Sequence, residues 1–267
     1  PDDNFEQALI DLGYDNFLDD YVITLNINTL TNLYVFNDSI ADLTGIEDFD
    51  SLQTLDCSRN QLTSLDVSAN VVLSELACYN NLLSSLNVNA NTALTYLSCY
   101  NNNLDTLDVS NDTALTYLNC GTNQLTSLDV SNNTYLTDLR CGINSLTTLD
   151  VTQNTALTTL YCFSNQLTSL DVSNNTYLTD LQCQSNQLDS LDVSQDTALT
   201  YLNLKNNNLT SLNVSANTAL TYLNCYNNQL TSLDVRNGNN TNYTVFYVRI
   251  NPNLYCIDVD DVAWADT

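Results

Sequence analysis

The chain has 267 residues, of which 31 are acidic and only 5 basic, for a net charge of −26, and it contains no histidine. That balance repels nucleic acid and anionic membrane surfaces, which are bound through basic patches, and favours cations or basic partners. No apolar run approaches the roughly 18 residues of a membrane span, so no membrane insertion is expected.

The first expected element is a short helix over Phe5 to Leu12, with Asp3 and Glu6 at the spacing of a capping box. Residues 1–29 read as an N-terminal cap. No signal peptide is visible in a chain that begins at Pro1, as expected of a mature or trimmed protein.

A 22-residue copy of a repeat follows, LTNLYVFNDSIADLTGIEDFDS over 30–51, and then nine copies of 21 residues over 52–240, opening at Leu52, Leu73, Leu94, Leu115, Leu136, Leu157, Leu178, Leu199 and Leu220. Each copy has two half-phrases, LxxLxCxxN and LxxLxVxxN. In one of them Leu94, Leu97 and Cys99 precede Asn102, then Leu104, Leu107 and Val109 precede Asp112, where most copies place Asn. Apolar residues two apart send alternate side chains inward along an extended run, and the Asn turns the corner. One such unit cannot bury its apolar edge alone, but a stack of them makes a continuous core with parallel backbone ladders. After Gly238 the pattern weakens, with Val248, Ile250 and Asn253 expected in phase, so 241–267 reads as a C-terminal cap.

Two fixed columns look like chemistry until they are placed. Cys57, Cys78, Cys99, Cys120, Cys141, Cys162, Cys183 and Cys225 share the sixth repeat position with Leu204, and a column that accepts Leu is an apolar core column. In-register thiols suit neither a disulfide ladder nor tetrahedral zinc. Asp66, Asp108, Asp129, Asp150, Asp171, Asp192 and Asp234 form an outward column flanked by Ser and Thr. Carboxylates about 5 Å apart repel by roughly 0.8 kcal/mol even in water. Hydrogen bonds from the adjacent hydroxyls and diffuse counterions would relieve this; calcium bridged by Asp108, Asp129, Asp150 and Asp171 is the alternative, although no loop with calcium-site spacing is present. No other metal and no cofactor is expected.

Positions that vary between copies concentrate in the first half-phrase, at its outward third, fifth and seventh positions. Nine aromatic side chains occupy these positions. Tyr96, Tyr100, Tyr117, Asn119, Asp138, Arg140, Tyr161, Phe163, Asp180, Gln182 and Tyr201 are the candidate ligand-binding residues, with Arg140, Tyr161 and Phe163 departing furthest from the average copy. Gly121 and Gly142 are expected to leave a hollow beside them. Aromatic faces among Asp, Asn, Gln and Arg suit a sugar ring or a protein hot spot; equally, Tyr suits a cross-coil ladder. Catalysis is not expected: no nucleophile has a base beside it, and Asp138 with Asp180, roughly 10 Å apart by strand spacing, is the one pair at a glycosidase-like separation. Threonine ranks such as Thr95, Thr116, Thr137 and Thr158 raise an ice-binding surface as a remote alternative, and a structural cell-surface rod without a ligand is a third reading.

The half-phrase LxxLxCxxNxL resembles the leucine-rich repeat signature, and the copy at 30–51 is internalin-like. Together with PDDNFEQALIDLGYDNFLDDYV and NPNLYCIDVDDVAW, it is similar to exported bacterial leucine-rich repeat proteins. The resemblance implies a right-handed solenoid of mostly β structure with a parallel sheet, a short N-terminal helical cap and few or no convex helices. It also implies a secreted or cell-surface monomer that binds protein or glycan on its concave sheet, in adhesion or ligand recognition.

Overall fold

Three-residue strands, one from the first half-phrase of each repeat, are stacked in parallel and in register in the computed structural model, which describes residues 2–265. The chain divides into two compact units, up to Asn133 and from Thr134 onward. In the first unit, α1 (Asp3–Asp11) and α2 (Thr24–Ile27) precede β1 (Asn32–Tyr34), β2 (Thr54–Asp56), β3 (Glu75–Ala77), β4 (Tyr96–Ser98) and β5 (Tyr117–Asn119). The central residues Leu33, Leu55, Leu76, Leu97 and Leu118 lie in one fully buried column.

The second unit holds β6 (Asp138–Arg140), β7 (Thr159–Tyr161), β8 (Asp180–Gln182), β9 (Tyr201–Asn203), β10 (Ser211–Asn213), β11 (Tyr222–Asn224), β12 (Ser232–Asp234), β13 (Val245–Tyr247), β14 (Cys256–Asp258) and α3 (Val262–Ala265). Here β6 to β9, β11 and β13 pair in that order, while β10, β12 and β14 form a separate sheet from the second half-phrases. In the last coils both half-phrases thus form strands, and the fold is the expected parallel-sheet solenoid with few helices.

Two asparagine columns hold successive coils together. Asn102 is typical of the first: its Nδ2 donates to the carbonyls of Cys99 and, one coil back, Cys78, while its Oδ1 accepts from Leu83 N–H at 3.0 Å. In the second column, Asn91 Nδ2 donates to the carbonyls of Val67 and Asn70, both at 2.9 Å. Buried backbone groups at each corner would otherwise go unpaired, so the amide, a donor and acceptor in one short side chain, is the group the corner needs. The residue before the first Asn has positive φ in every coil, from Arg59 at 56° to Ile250 at 58°. Asn tolerates this best, and Thr122, Ile143 and Ile250, β-branched and left-handed, are the strained members.

Two expectations need correction. The helix starts earlier than expected and is capped by Asp2, whose Oδ1 accepts from the N–H of Asn4 and Phe5. Glu6 does not close a capping box with Asp3; it is buried and accepts from the N–H of Asp19 and Asp20, pinning the following loop to the helix. In the C-terminal segment, Phe246 pairs with Leu223 and Asn251 takes the corner role, accepting from Leu230 N–H and donating to the carbonyls of Cys225 and Val248. Val248 is in phase as expected, but Ile250 and Asn253 are not, because residues inserted after Asn237 shift the register. Paired strands therefore continue through β13 and β14, and Trp264 packs on Phe246 and Tyr243 at 5.2 and 6.0 Å.

Candidate ligand-binding face

Buried Leu at the fourth repeat position and Cys at the sixth force the third, fifth and seventh side chains to the opposite side of each strand. In the first unit this face is dominated by stacked tyrosines. Tyr96 lies on Tyr117 with ring centres 4.5 Å apart, and Tyr79 on Tyr100 at 4.6 Å. Asn119 is turned back into its own loop, its Oδ1 accepting from Gly121 N–H. These rings form the cross-coil ladder that their spacing allows, and each stack retains an outer face and edge.

The second unit brings the polar candidates together in one chain of contacts. Arg140 forks onto Asp138, with Nε to Oδ1 at 2.9 Å and Nη2 to Oδ2 at 2.8 Å. The same guanidinium sits 4.9 Å from the centre of the Tyr161 ring. Tyr161 donates its hydroxyl to Asp180 Oδ2 at 2.6 Å, and Gln182 Nε2 donates to Asp180 Oδ1 at 3.2 Å. Burial, followed by the hydrogen bond to the Asp180 carboxylate, pushes the Tyr161 phenol up to about 12. Tyr201 stacks on Tyr222 at 3.8 Å. Asp138 and Asp180 are thus each held by neighbours, an arrangement that orders a surface rather than frees an acid for proton transfer.

The hollow expected at Gly142 is filled. The Phe163 ring lies across it, so that a Cβ on Gly142 would meet the ring at 2.8 Å. A glycine in a strand-end position invites an aromatic neighbour to close over its backbone, and this contact depends on the next coil, which no reading of one copy reveals.

The outward aspartates solve their repulsion locally. Asp66, Asp108, Asp129, Asp150, Asp171 and Asp192 each accept from the backbone N–H two residues on, at 2.9 to 3.0 Å. Together with the neighbouring Ser hydroxyl, these bonds hold the carboxyls of Asp66, Asp108, Asp129, Asp171 and Asp192 below the usual range. Among the described residues, the calcium candidates Asp108, Asp129, Asp150 and Asp171 belong to no cluster of three or more ligand atoms; Glu6, Asp15 and Asp19 do. The threonine ranks are similarly occupied: Thr116, Thr158, Thr179 and Thr200 donate their hydroxyls to carbonyls of the preceding coil.

The cysteine column is apolar core. Its eight thiols are fully buried and not joined in disulfides, and burial pushes Cys120, Cys183 and Cys225 up to about 12. Because the thiolate is the reactive form, iodoacetamide at neutral pH should modify the exposed Cys256 alone in the native protein and the remaining eight only after denaturation, as read by intact mass. Rapid native labelling of several thiols would contradict this placement.

Two features of this molecule went unread in the sequence. Asp112 and Asp196 occupy the second asparagine column fully buried, and neither carboxylate oxygen has a hydrogen-bond partner. The substitution of Asp for Asn was visible, but its burial was not. A cavity also lies beside Lys205, Tyr226 and Arg249. Lys205 stood on a variable position, whereas Arg249 fell in a segment whose register required the structure.

Internalins are among the known proteins that the chain resembles. It is 47% identical to internalin J of Listeria monocytogenes serotype 4b (strain F2365) over 70 residues, which are 26% of this chain and 8% of that protein. The solved functional domain of InlJ from Listeria monocytogenes, which includes a cysteine ladder, matches 97% of this chain at 40% identity and a TM-score of 0.83, and the chain covers 59% of it. An internalin (inlF) from Listeria monocytogenes str. 4b F2365 matches at 22% identity and a TM-score of 0.76 over 99% of this chain and 92% of that one. The Arabidopsis receptor kinase HAESA, solved with the peptide hormone IDA and the co-receptor SERK1, matches at 21% identity and 0.70 over 87% of this chain and 46% of that one. These last two show the fold alone. No family model matches the chain.

Proposed function

We propose that this internalin-like leucine-rich repeat solenoid is a secreted or cell-surface recognition module that binds a protein ligand through the outward positions of its first half-phrases, in adhesion or partner capture. The observation that carries the reading is the contrast within each repeat. The frame of Leu, Cys and Asn is constant, whereas the residues that share one strand face differ from coil to coil and include Arg140, Tyr161, Asp180 and Gln182 in direct or successive contact, with Phe163 closed over Gly142 beside them. Aromatic and Arg side chains held rigidly on a sheet lose little entropy when a partner covers them.

Protein partners are supported by the company the fold keeps: HAESA, of the same architecture, is solved with a peptide hormone and a co-receptor. A glycan remains an alternative ligand chemistry for the same rings. The role is one of binding without catalysis, since the acids on the face are tied up and the chain has no histidine. Among the described residues no helix is long and apolar enough to cross a membrane.

The test is affinity capture of surface proteins with the immobilised chain. Tyr161→Ala should abolish recovery of the specific partner with little change in melting temperature, while Thr155→Ala, at an exposed corner away from the strands, should not affect recovery. Equal recovery by both variants, or loss only in step with unfolding, would remove the strand face as the binding surface.

A further inference from the structure

A cavity of about 540 Å³ in the second unit is lined by Lys205, Asn224, Tyr226, Phe246, Tyr247 and Arg249, together with Val248. It lies apart from the Arg140–Tyr161–Asp180 contacts, on the last coils. Lys205, Tyr226 and Arg249 occupy equivalent positions on three successive coils, as the backbone shows: Asn206 N–H donates to Tyr226 O, and Asn227 N–H to Arg249 O. Two strand spacings separate the Lys205 and Arg249 backbones by roughly 10 Å. The Tyr226 ring lies between them, with the Lys205 ammonium 5.5 Å from its centre.

Charge marks this cavity off from the rest of the molecule. The outward positions of these coils are Tyr201, Asn203 and Lys205, then Tyr222, Asn224 and Tyr226, then Val245, Tyr247 and Arg249, without one acidic residue in a chain that has 31. Ion pairs join Arg140 to Asp138 and Arg236 to Asp234, and no carboxylate of the described residues neutralises Lys205 or Arg249. Two cations kept clear of acids in a protein of net charge −26 present a local attraction for an anion, steered there by the surrounding repulsion.

The lining between the cations is apolar and aromatic, and it ends at an open backbone edge. Cys225 N–H donates to Tyr247 O on the next coil; the equivalent N–H of Val248 has no coil beyond it among the described residues. An occupant would therefore meet two positive ends, a flat apolar floor and a backbone donor. Side chains four residues apart share one face of an extended chain and lie about 13 Å apart, a span that the long Lys205 and Arg249 side chains can meet from backbones roughly 10 Å apart.

We propose that this cavity is a binding site for an acidic peptide segment, extended, with carboxylates four residues apart on Lys205 and Arg249 and, midway on the same face, an apolar side chain on Tyr226 and Tyr247. The carboxylates are those of Asp or Glu side chains, or one of them is a chain terminus. A uronate-containing glycan would satisfy the cations but carries no apolar side chain for the floor between them.

The experiment is an NMR titration of the isotope-labelled chain with acetyl-Glu-Ser-Leu-Ser-Glu-amide, with the same peptide bearing a free C-terminal carboxylate, with its Gln-for-Glu counterpart, and with oligogalacturonate. Both acidic peptides should shift the amides of Lys205, Tyr226, Val248 and Arg249, and a tighter free-acid complex would identify a terminal carboxylate as one of the two anions. The Gln peptide should not bind, and Lys205→Gln with Arg249→Gln should weaken the acidic peptides at least about tenfold, the effect of two part-exposed ion pairs. Shifts scattered over the surface, equal binding by the Gln peptide, undiminished binding by the double variant, or binding of oligogalacturonate alone would each overturn the assignment. None of these results depends on Tyr161, so the outcome is separable from that of the capture test.

Discussion

Replacing Asp112 and Asp196 by Asn should stabilise the protein and remove most of its loss of stability between about pH 4 and pH 7. Both residues stand in the column where Asn133 and Asn217 donate Nδ2 to carbonyls of the coil before, Asn133 to Val109 and Asp112, and Asn217 to Val193 and Asp196. A carboxylate in that place has no hydrogen to give, and both oxygens of Asp112 and of Asp196 are buried without a partner. A protonated carboxyl donates one. Burial, with a smaller contribution from Asp108 or Asp192 respectively, accordingly raises each carboxyl to about 7.

The sign follows from proton counting. Between the ordinary carboxylate value and about 7 the folded protein holds a proton on each group that the unfolded chain has released, so stability falls as pH rises through that window and is level above it. The difference corresponds to about 4 kcal/mol per site. Urea unfolding at pH 4.5, 6 and 8 should show the wild type weakest at pH 8, and the double Asp→Asn variant most improved there. A wild-type stability that is flat across this range, or a variant less stable at pH 8, would show that the carboxylates have found partners.

Asn165→Ala should be among the most damaging single changes in the second unit. Asn165 is buried; its Nδ2 donates to the carbonyls of Cys141 and Cys162, both at 3.1 Å, and its Oδ1 accepts from Leu146 N–H at 3.0 Å. Alanine leaves the buried Leu146 N–H unpaired and takes one of two amide donors from the carbonyls of Cys141 and Cys162, which keep Asn144 and Asn186 respectively, at a cost of about 2–4 kcal/mol in total. Asn174, exposed and bonded only through Nδ2 to Thr152 O, is the control, and its alanine variant should cost under about 0.5 kcal/mol. Similar denaturation midpoints for the two variants would mean that the corner amides are dispensable and that apolar stacking alone holds the coils.

These two predictions divide along the line between what a repeat displays and what it conceals. The strands, the burial of Leu and Cys columns and the outward direction of the Asp column were legible because each obeys a period repeated through nine copies, and periodicity reports which side of the chain is wet. The helix start moved from Phe5 to Asp3 because several acids compete for the cap, and only the position of the loop at Asp19 and Asp20 decides that Glu6 serves there. The last coil was misphased because an insertion shifts register by whole residues while leaving the composition unchanged.

Of the candidate face, the residue identities were legible and their mutual contacts were not. Arg140, Tyr161 and Asp180 lie on separate coils, 19 to 21 residues apart, and their joining depends on rotamers chosen against neighbours rather than on any local pattern. The Gly142 hollow disappeared for the same reason, since Phe163 occupies it from the next coil. By itself, then, the amino-acid sequence determined the repeat, its core columns and the set of residues free to vary, because these follow from solvent exposure averaged over many equivalent turns. Only the tertiary structure decided which variable side chains satisfy one another, which cations remain unpaired beside the cavity at Lys205 and Arg249, and that two aspartates lie where an amide is needed, because hydrogen bonding and charge pairing depend on the particular partner across the coil.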